Sequence, residues 1–256
     1  MQGTKIMFKK GAKPRNPILI VGLPGIGNVG SLVGEHLKTE LKAAKIATIY
    51  SSHFPHQVVM LKSGGIRLVS NRIYHWKNAS KDAKACDLLI LVGDFQALSS
   101  EGQYELNEKI VEFVKKMGVK TIYTVGGYST TNQYIKTPRV FAVTTDKSKI
   151  PKLKEVGVVF GEASGMIWGS AGLLLAFAKK HKLSGTCLMG ETGMLDVDAH
   201  AAKAVLEMLV KHLGIKVNLA NMEKISHETE KAIKAMEEAM KKEQQGPSHE
   251  NFTYIR

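Results

Sequence analysis

The sequence predicts an α/β fold, a three-layer sandwich in which helices cover both faces of a mostly parallel sheet. Three observations carry this. Short, continuous apolar runs alternate with amphipathic segments of helical spacing, the pattern of βαβ crossovers. The runs lack polar–apolar alternation, so these strands are covered on both faces. The chain has 256 residues, 44% of them hydrophobic, which is enough to bury a sizeable core.

Residues 18–22 are the first apolar run, and 28–42 follow with Val29, Leu32, Val33, Leu37 and Leu41 at helical spacing. Residues 45–51 read as a second strand. Residues 58–61 and 66–69 flank Ser63-Gly64-Gly65 and predict a hairpin, an antiparallel element. Another buried strand is expected at 88–92, then a helix over 99–117 with Leu106, Ile110, Val114 and Met117 inward. Strands follow at 121–125 and 140–144. Residues 166–182 predict an apolar helix studded with small residues, whose 166–178 part can pack closely against the sheet or a neighbouring subunit. A short strand at 186–189 and a helix over 198–213, with Ala202, Val205, Leu209 and Leu213 on one face, complete the domain.

The C-terminal part differs in kind. Met222, Ile225, Thr229, Ala232, Met236 and Ala239 repeat in 3-4-3-4 steps, a weak heptad seam with few large knobs. A polar segment broken by Gly246-Pro247 follows, and the sequence ends Asn251-Phe252-Thr253-Tyr254-Ile255-Arg256. The expected organisation is an α/β sandwich domain at 1–220, an amphipathic helix at 221–244 and a flexible tail at 245–256. Large hydrophobic groups beyond a flexible linker suit a tethered ligand better than a core, so Phe252, Tyr254, Ile255 and Arg256 are the candidate partner-binding residues.

Thirty-six Lys and Arg against 23 Asp and Glu give a formal charge of +13, and only five of the basic residues are Arg. Lys is the residue of solvated surfaces rather than of bidentate phosphate recognition. With no helix-turn-helix, zinc-finger or RNP pattern, no nucleic-acid partner is expected. Residues 1–10 lack the apolar core of a signal peptide, and the longest apolar stretch, 171–178, is too short to span a bilayer. Cys86 and Cys187 stand apart with no motif around either. A cytoplasmic protein without a disulfide framework or a membrane partner is expected.

Two constellations offer chemistry. Gly25, Gly27 and Gly30 form G-x-G-x-x-G between a strand and a helix, with Asn28 inside it. Such a turn either lets helix and sheet pack closely or presents N–H groups to an anion. The next strand ends Tyr50-Ser51-Ser52-His53, without the carboxylate that a dinucleotide ribose needs. Asp94, Glu162 and Glu191 follow strand ends, where an open α/β sheet places its ligands. They are candidate acid/base groups of a small-molecule or nucleotide-binding enzyme, or caps for the following helices. No nucleophile elbow or metal-ligand spacing accompanies them, and His53 with His56 is a weak metal hint only. No cofactor or metal is expected.

Eight fragments fall in a specific order: residues 22–30, Gly34-Glu35-His36-Leu37, Gly93-Asp94-Phe95-Gln96, Glu101-Gly102-Gln103-Tyr104, Thr124-Val125-Gly126-Gly127-Tyr128, Gly161-Glu162-Ala163-Ser164-Gly165, Ala171-Gly172-Leu173-Leu174-Leu175 and Met189-Gly190-Glu191-Thr192. In order and spacing the series resembles the proteasome assembly chaperone 2 family over roughly residues 15–225, and its Lys-rich composition resembles the archaeal members. The resemblance implies a fold like that of purine nucleoside phosphorylases, no enzymatic activity, self-association into a homo-oligomer, and the proteasome α-ring as partner. Some members of that family bind the α-ring through a C-terminal hydrophobic-Tyr-any motif and act as ATP-independent activators. There the Tyr is penultimate; here Tyr254 is third from the end.

Overall fold

The continuous apolar runs form the middle of one eight-stranded sheet in a computed structural model that describes residues 2–9, 11–82, 85–130, 135–193, 196–228 and 230–231. β1 (Thr4–Phe8) is followed by β2 (Ile18–Gly22), a short 3-10 turn and α1 (Val29–Glu40). Next come β3 (Ala44–Ser51), the hairpin β4 (Val58–Met60) and β5 (Ile66–Leu68), β6 (Asn71–Trp76) and β7 (Leu88–Gly93). The second half holds α2 (Ser100–Lys116), β8 (Thr121–Ser129), β9 (Val140–Thr144), α3 (Ile150–Glu155), α4 (Ser170–Lys180), β10 (Ser184–Thr192) and α5 (Ala199–Leu213).

The strand order is β1-β3-β6-β7-β2-β8-β10-β9, and β4 and β5 pair separately. Strands β7, β2, β8 and β10 are mutually parallel. Antiparallel β6, β3 and β1 extend one flank and antiparallel β9 closes the other. Two of the flanking strands, β1 and β6, go beyond the expected set, as does the short α3.

Period-two alternation distributes the strand side chains to two cores. Leu19, Val21, Leu89 and Leu91 face α2 and α4, where they meet Leu106, Ile110, Leu174 and Phe177. Ile20, Leu88, Ile90 and Val125 face α1 and α5, where they meet Val33, Leu37, Val205 and Leu209. Each such fully buried aliphatic side chain contributes about 1.5–3 kcal/mol. Truncating one, Leu91→Ala for example, costs about 2–5 kcal/mol because the packed layers cannot close the cavity.

Caps fix the helix ends. Ser99 accepts a hydrogen bond from the Gly102 amide at the start of α2, and Asp198 accepts one from Ala201 at the start of α5. Gly214, at φ +64°, ends α5 in the left-handed region that glycine tolerates. The apolar helix expected from 166 starts only at Ser170. Gly165 and Gly169 take φ values of +121° and +71°, which break helical geometry ahead of it. Residues 220–228 are helical and lie back along α5, with Met222 and Ser226 buried and the Ser226 hydroxyl 2.8 Å from His200 Nδ1. The expected 220/221 boundary therefore sits beside residues that pack on the domain. The remainder of the expected heptad seam and the tail lie outside the described residues. Among the described residues no helix is long and apolar enough to cross a membrane.

Candidate functional site

The glycine-rich turn joins β2 to α1 at the C-terminal edge of the parallel strands. A Cβ at Gly22 would stand 2.3 Å from the Gly30 carbonyl oxygen and 2.7 Å from Gly34 Cα. One at Gly30 would stand 2.5 Å from the Leu23 oxygen and 2.7 Å from the Val125 oxygen. Helix and strand backbones thus touch directly, which only glycine permits. Gly27 and Asn28 both adopt left-handed geometry, at φ +59° and +50°. The Gly27 carbonyl accepts the Asp198 amide at 2.7 Å. Asp198 itself is buried; it accepts from the Thr192 hydroxyl at 2.6 Å and from the Ala201 amide at 2.9 Å. The acid against this turn is the protein's own Asp198, which meets Gly27; Gly27 and Gly30 are buried in the corner, Asn28 is half-buried and Gly25 is exposed.

The candidate carboxylates are tied to arginines. Asp94, just beyond β7, accepts from both Arg67 on β5 and Arg72 on β6, and from the Ser70 amide at 2.9 Å. Burial alone would raise the Asp94 carboxyl, but the Arg67 and Arg72 hydrogen bonds outweigh it and hold the group well below the ordinary carboxylate range. Arg139 precedes β9 and bridges the other two: its Nη2 lies 2.8 Å from Glu191 Oε1 and its Nη1 3.0 Å from Glu162 Oε2. The Arg139 hydrogen bond holds Glu191 below its ordinary value. Ionised, paired carboxylates are poor general acids near neutral pH. The other single groups are similarly engaged. His53 Nε2 lies 2.9 Å from Glu105, whose carboxyl is lowered to about 2 by Lys109, the Thr4 amide and His53. Glu108, Glu112 and His181 converge, but Lys180 Nζ already sits 2.6 Å from Glu108.

Between the turn and α4 lies a cavity of about 410 Å³. Thr124, Gly126 and Tyr128 of β8 line it together with Cys187 and Met189 of β10, and Met166 and Trp168 stand at its rim. Gln96 ties its walls together. Its Nε2 donates to the Pro24 oxygen at 2.7 Å, and its Oε1 accepts the Ser170 amide at 2.8 Å, which caps the start of α4. Trp168 and Met166 are 80% and 81% exposed. Sequence reading placed both inside a helix; the glycines on either side of Met166-Ile167-Trp168 were the available sign of a loop. The tail residues Phe252, Tyr254, Ile255 and Arg256 lie outside the described residues.

The chain matches the PAC2 family model over residues 19–237 and belongs to that family. It is 39% identical over 245 residues to an uncharacterized protein of Methanocaldococcus jannaschii, covering 94% of this chain and 92% of the relative. Among solved structures it superposes with a TM-score of 0.86 on PbaB of Pyrococcus furiosus, described as an archaeal proteasome activator, at 37% identity over 93% of this chain and 100% of that one. PbaA of the same organism, described as an archaeal homolog of proteasome-assembly chaperone, shares the fold with a TM-score of 0.74 at 24% identity, covering 95% of each chain.

Proposed function

We propose that this chain is a non-enzymatic, homo-oligomeric protein that binds the proteasome core particle as an assembly chaperone or an ATP-independent activator. The observation that carries the reading is the similarity to PbaB, an archaeal proteasome activator, over the whole of that chain with a TM-score of 0.86. The arginine-paired state of Asp94 and Glu191 supports a binding role over an acid/base one.

Contact with the α-ring is assigned to Phe252, Tyr254, Ile255 and Arg256. An aromatic ring with a polar tip fills an apolar cleft and still finds a hydrogen-bond partner. One tail binds weakly because it must be ordered, but several on one oligomer gain avidity where linker and span match. In this proposal residues 244–251 act as the linker, and a random coil of eight residues spans about 15 Å. The test is retention of purified archaeal core particle by immobilised full-length protein and by a chain ending at residue 251. The full-length protein retains α subunits and the shortened chain loses them; equal retention by both removes the tail from the account, and retention by neither removes the proteasome.

A further inference from the structure

The proposed function leaves the cavity at the ends of β2, β8 and β10 without a role. We propose that it is a binding site for a neutral, ring-bearing small molecule, held between the β8 floor and the Trp168 rim.

Its floor is left open by one residue. Thr124, Gly126 and Tyr128 alternate onto the cavity side of β8, and a Cβ added at Gly126 meets nothing within 4 Å. Gly126 does not have a positive φ, so its backbone does not require glycine. A strand interior ordinarily carries a packing side chain at such a position, since glycine weakens a strand and often marks close approach of a ligand. The resulting volume of about 410 Å³ lies in the range of small-molecule sites.

The chemistry of the lining selects the ligand class. The chain is 23% charged, yet among the described residues no Asp, Glu, Lys, Arg or His lines this cavity. Two of its polar side chains are already engaged. The Thr124 hydroxyl donates to the Ala171 oxygen, and Gln96 is shared among Pro24, Gln103 and Ser170. Burial pushes the Cys187 thiol up to about 11, so it too is neutral. A phosphate or carboxylate would lose its water there and gain no cation. An uncharged ring loses nothing comparable, and Met189, Met166 and Cys187 offer the sulfur contacts that aromatic rings favour. The indole of Trp168, mostly exposed, gains apolar contact when a ring is seated beside it.

The experiment titrates the full-length protein with N-phenyl-1-naphthylamine, a neutral fluorophore that brightens in apolar surroundings. Its sulfonated counterpart, 8-anilinonaphthalene-1-sulfonate, carries the same rings and a fixed negative charge. The neutral probe should saturate at one per chain, and the sulfonate should displace it only at concentrations about tenfold higher or more. Gly126→Leu should fill the floor and weaken the neutral probe about tenfold or more. Trp168→Ala, which alters an exposed side chain, should weaken it several-fold with unchanged melting. Wild-type affinity in both variants, or displacement by the sulfonate at equal concentration, overturns the proposal. So does tighter probe binding in Tyr254→Ala, which would make the chain's own tail the occupant. Probe binding that appears only when dilution lowers the assembled mass would make a second copy the occupant, and overturns it equally. None of these results depends on proteasome binding, so the two readings fail separately.

Discussion

Replacing Gly27 by alanine tests whether the glycine-rich corner is a packing device. The residue sits at φ +59°, and its new Cβ would stand 2.8 Å from Thr192 Oγ1 and 3.2 Å from Asp198 Cβ. Holding an L-residue in the left-handed region costs about 1–2 kcal/mol. Thr192 cannot yield freely, because its hydroxyl donates to the Asp198 carboxylate at 2.6 Å and that carboxylate caps α5. Weakening a hydrogen bond to a charged group adds about 1–2 kcal/mol, for a total of roughly 2–4 kcal/mol. In a domain of this size 1 kcal/mol moves Tm by about 2–4 °C, so Gly27→Ala should melt roughly 5–15 °C below wild type. The assay is calorimetric melting, with Gly126→Ala as the control. That substitution meets nothing within 4 Å and needs no unusual φ, so its Tm should stay within about 2 °C of wild type or rise. A Gly27→Ala protein that melts with wild type would refute the packing account and return the turn to the anion-binding reading.

Asp94→Asn should cost about 2 kcal/mol at neutral pH, because it removes the charged acceptor that Arg67 and Arg72 share. The folded-state carboxyl lies below its unfolded value, so its contribution is complete above about pH 4 and is lost as pH falls further. Denaturant titrations should therefore show the wild-type advantage shrinking below about pH 4; a pH-independent gap would contradict this. Arg139→Ala should let the Glu191 carboxyl rise toward its ordinary value, since Arg139 is the main cause of its lowering; carboxyl-carbon NMR titration reads the change. The proposed homo-oligomer is expected to be held by the domain rather than by the C-terminal helix, so it should keep its mass by multi-angle scattering when residues 222–256 are removed; a monomer would contradict that expectation.

The legible parts of the fold were those whose burial leaves a one-dimensional mark. Ile18–Gly22 and Leu88–Gly93 are covered on both faces, so their sequences are continuous apolar runs. β6 escaped because it reads Asn-Arg-Ile-Tyr-His-Trp, with two of its polar side chains paired outside the strand: Arg72 with Asp94 and His75 with Asp87. β1 is an edge strand with three of its five residues exposed, and it carries little of the signal that burial writes. At the site, Gly25, Gly27 and Gly30 were visible, but close packing and anion binding need the same residues. Only the short distances among Gly22, Gly30 and Gly34 show how tightly the corner packs. The link from Arg139 to Glu191 spans 52 residues, a separation at which spacing says nothing about contact.

Engagement of the proteasome core particle through the last residues, as proposed, is read from the affinity of Tyr254→Ala for that particle. With archaeal core particle immobilised for interferometry, wild type should bind with avidity, and Tyr254→Ala should bind about tenfold or more weakly, as expected of an aromatic anchor. Its melting temperature and oligomeric mass should remain those of wild type. A Tyr254→Ala protein that binds the core particle as tightly as wild type, or that loses its oligomeric mass, would contradict the account.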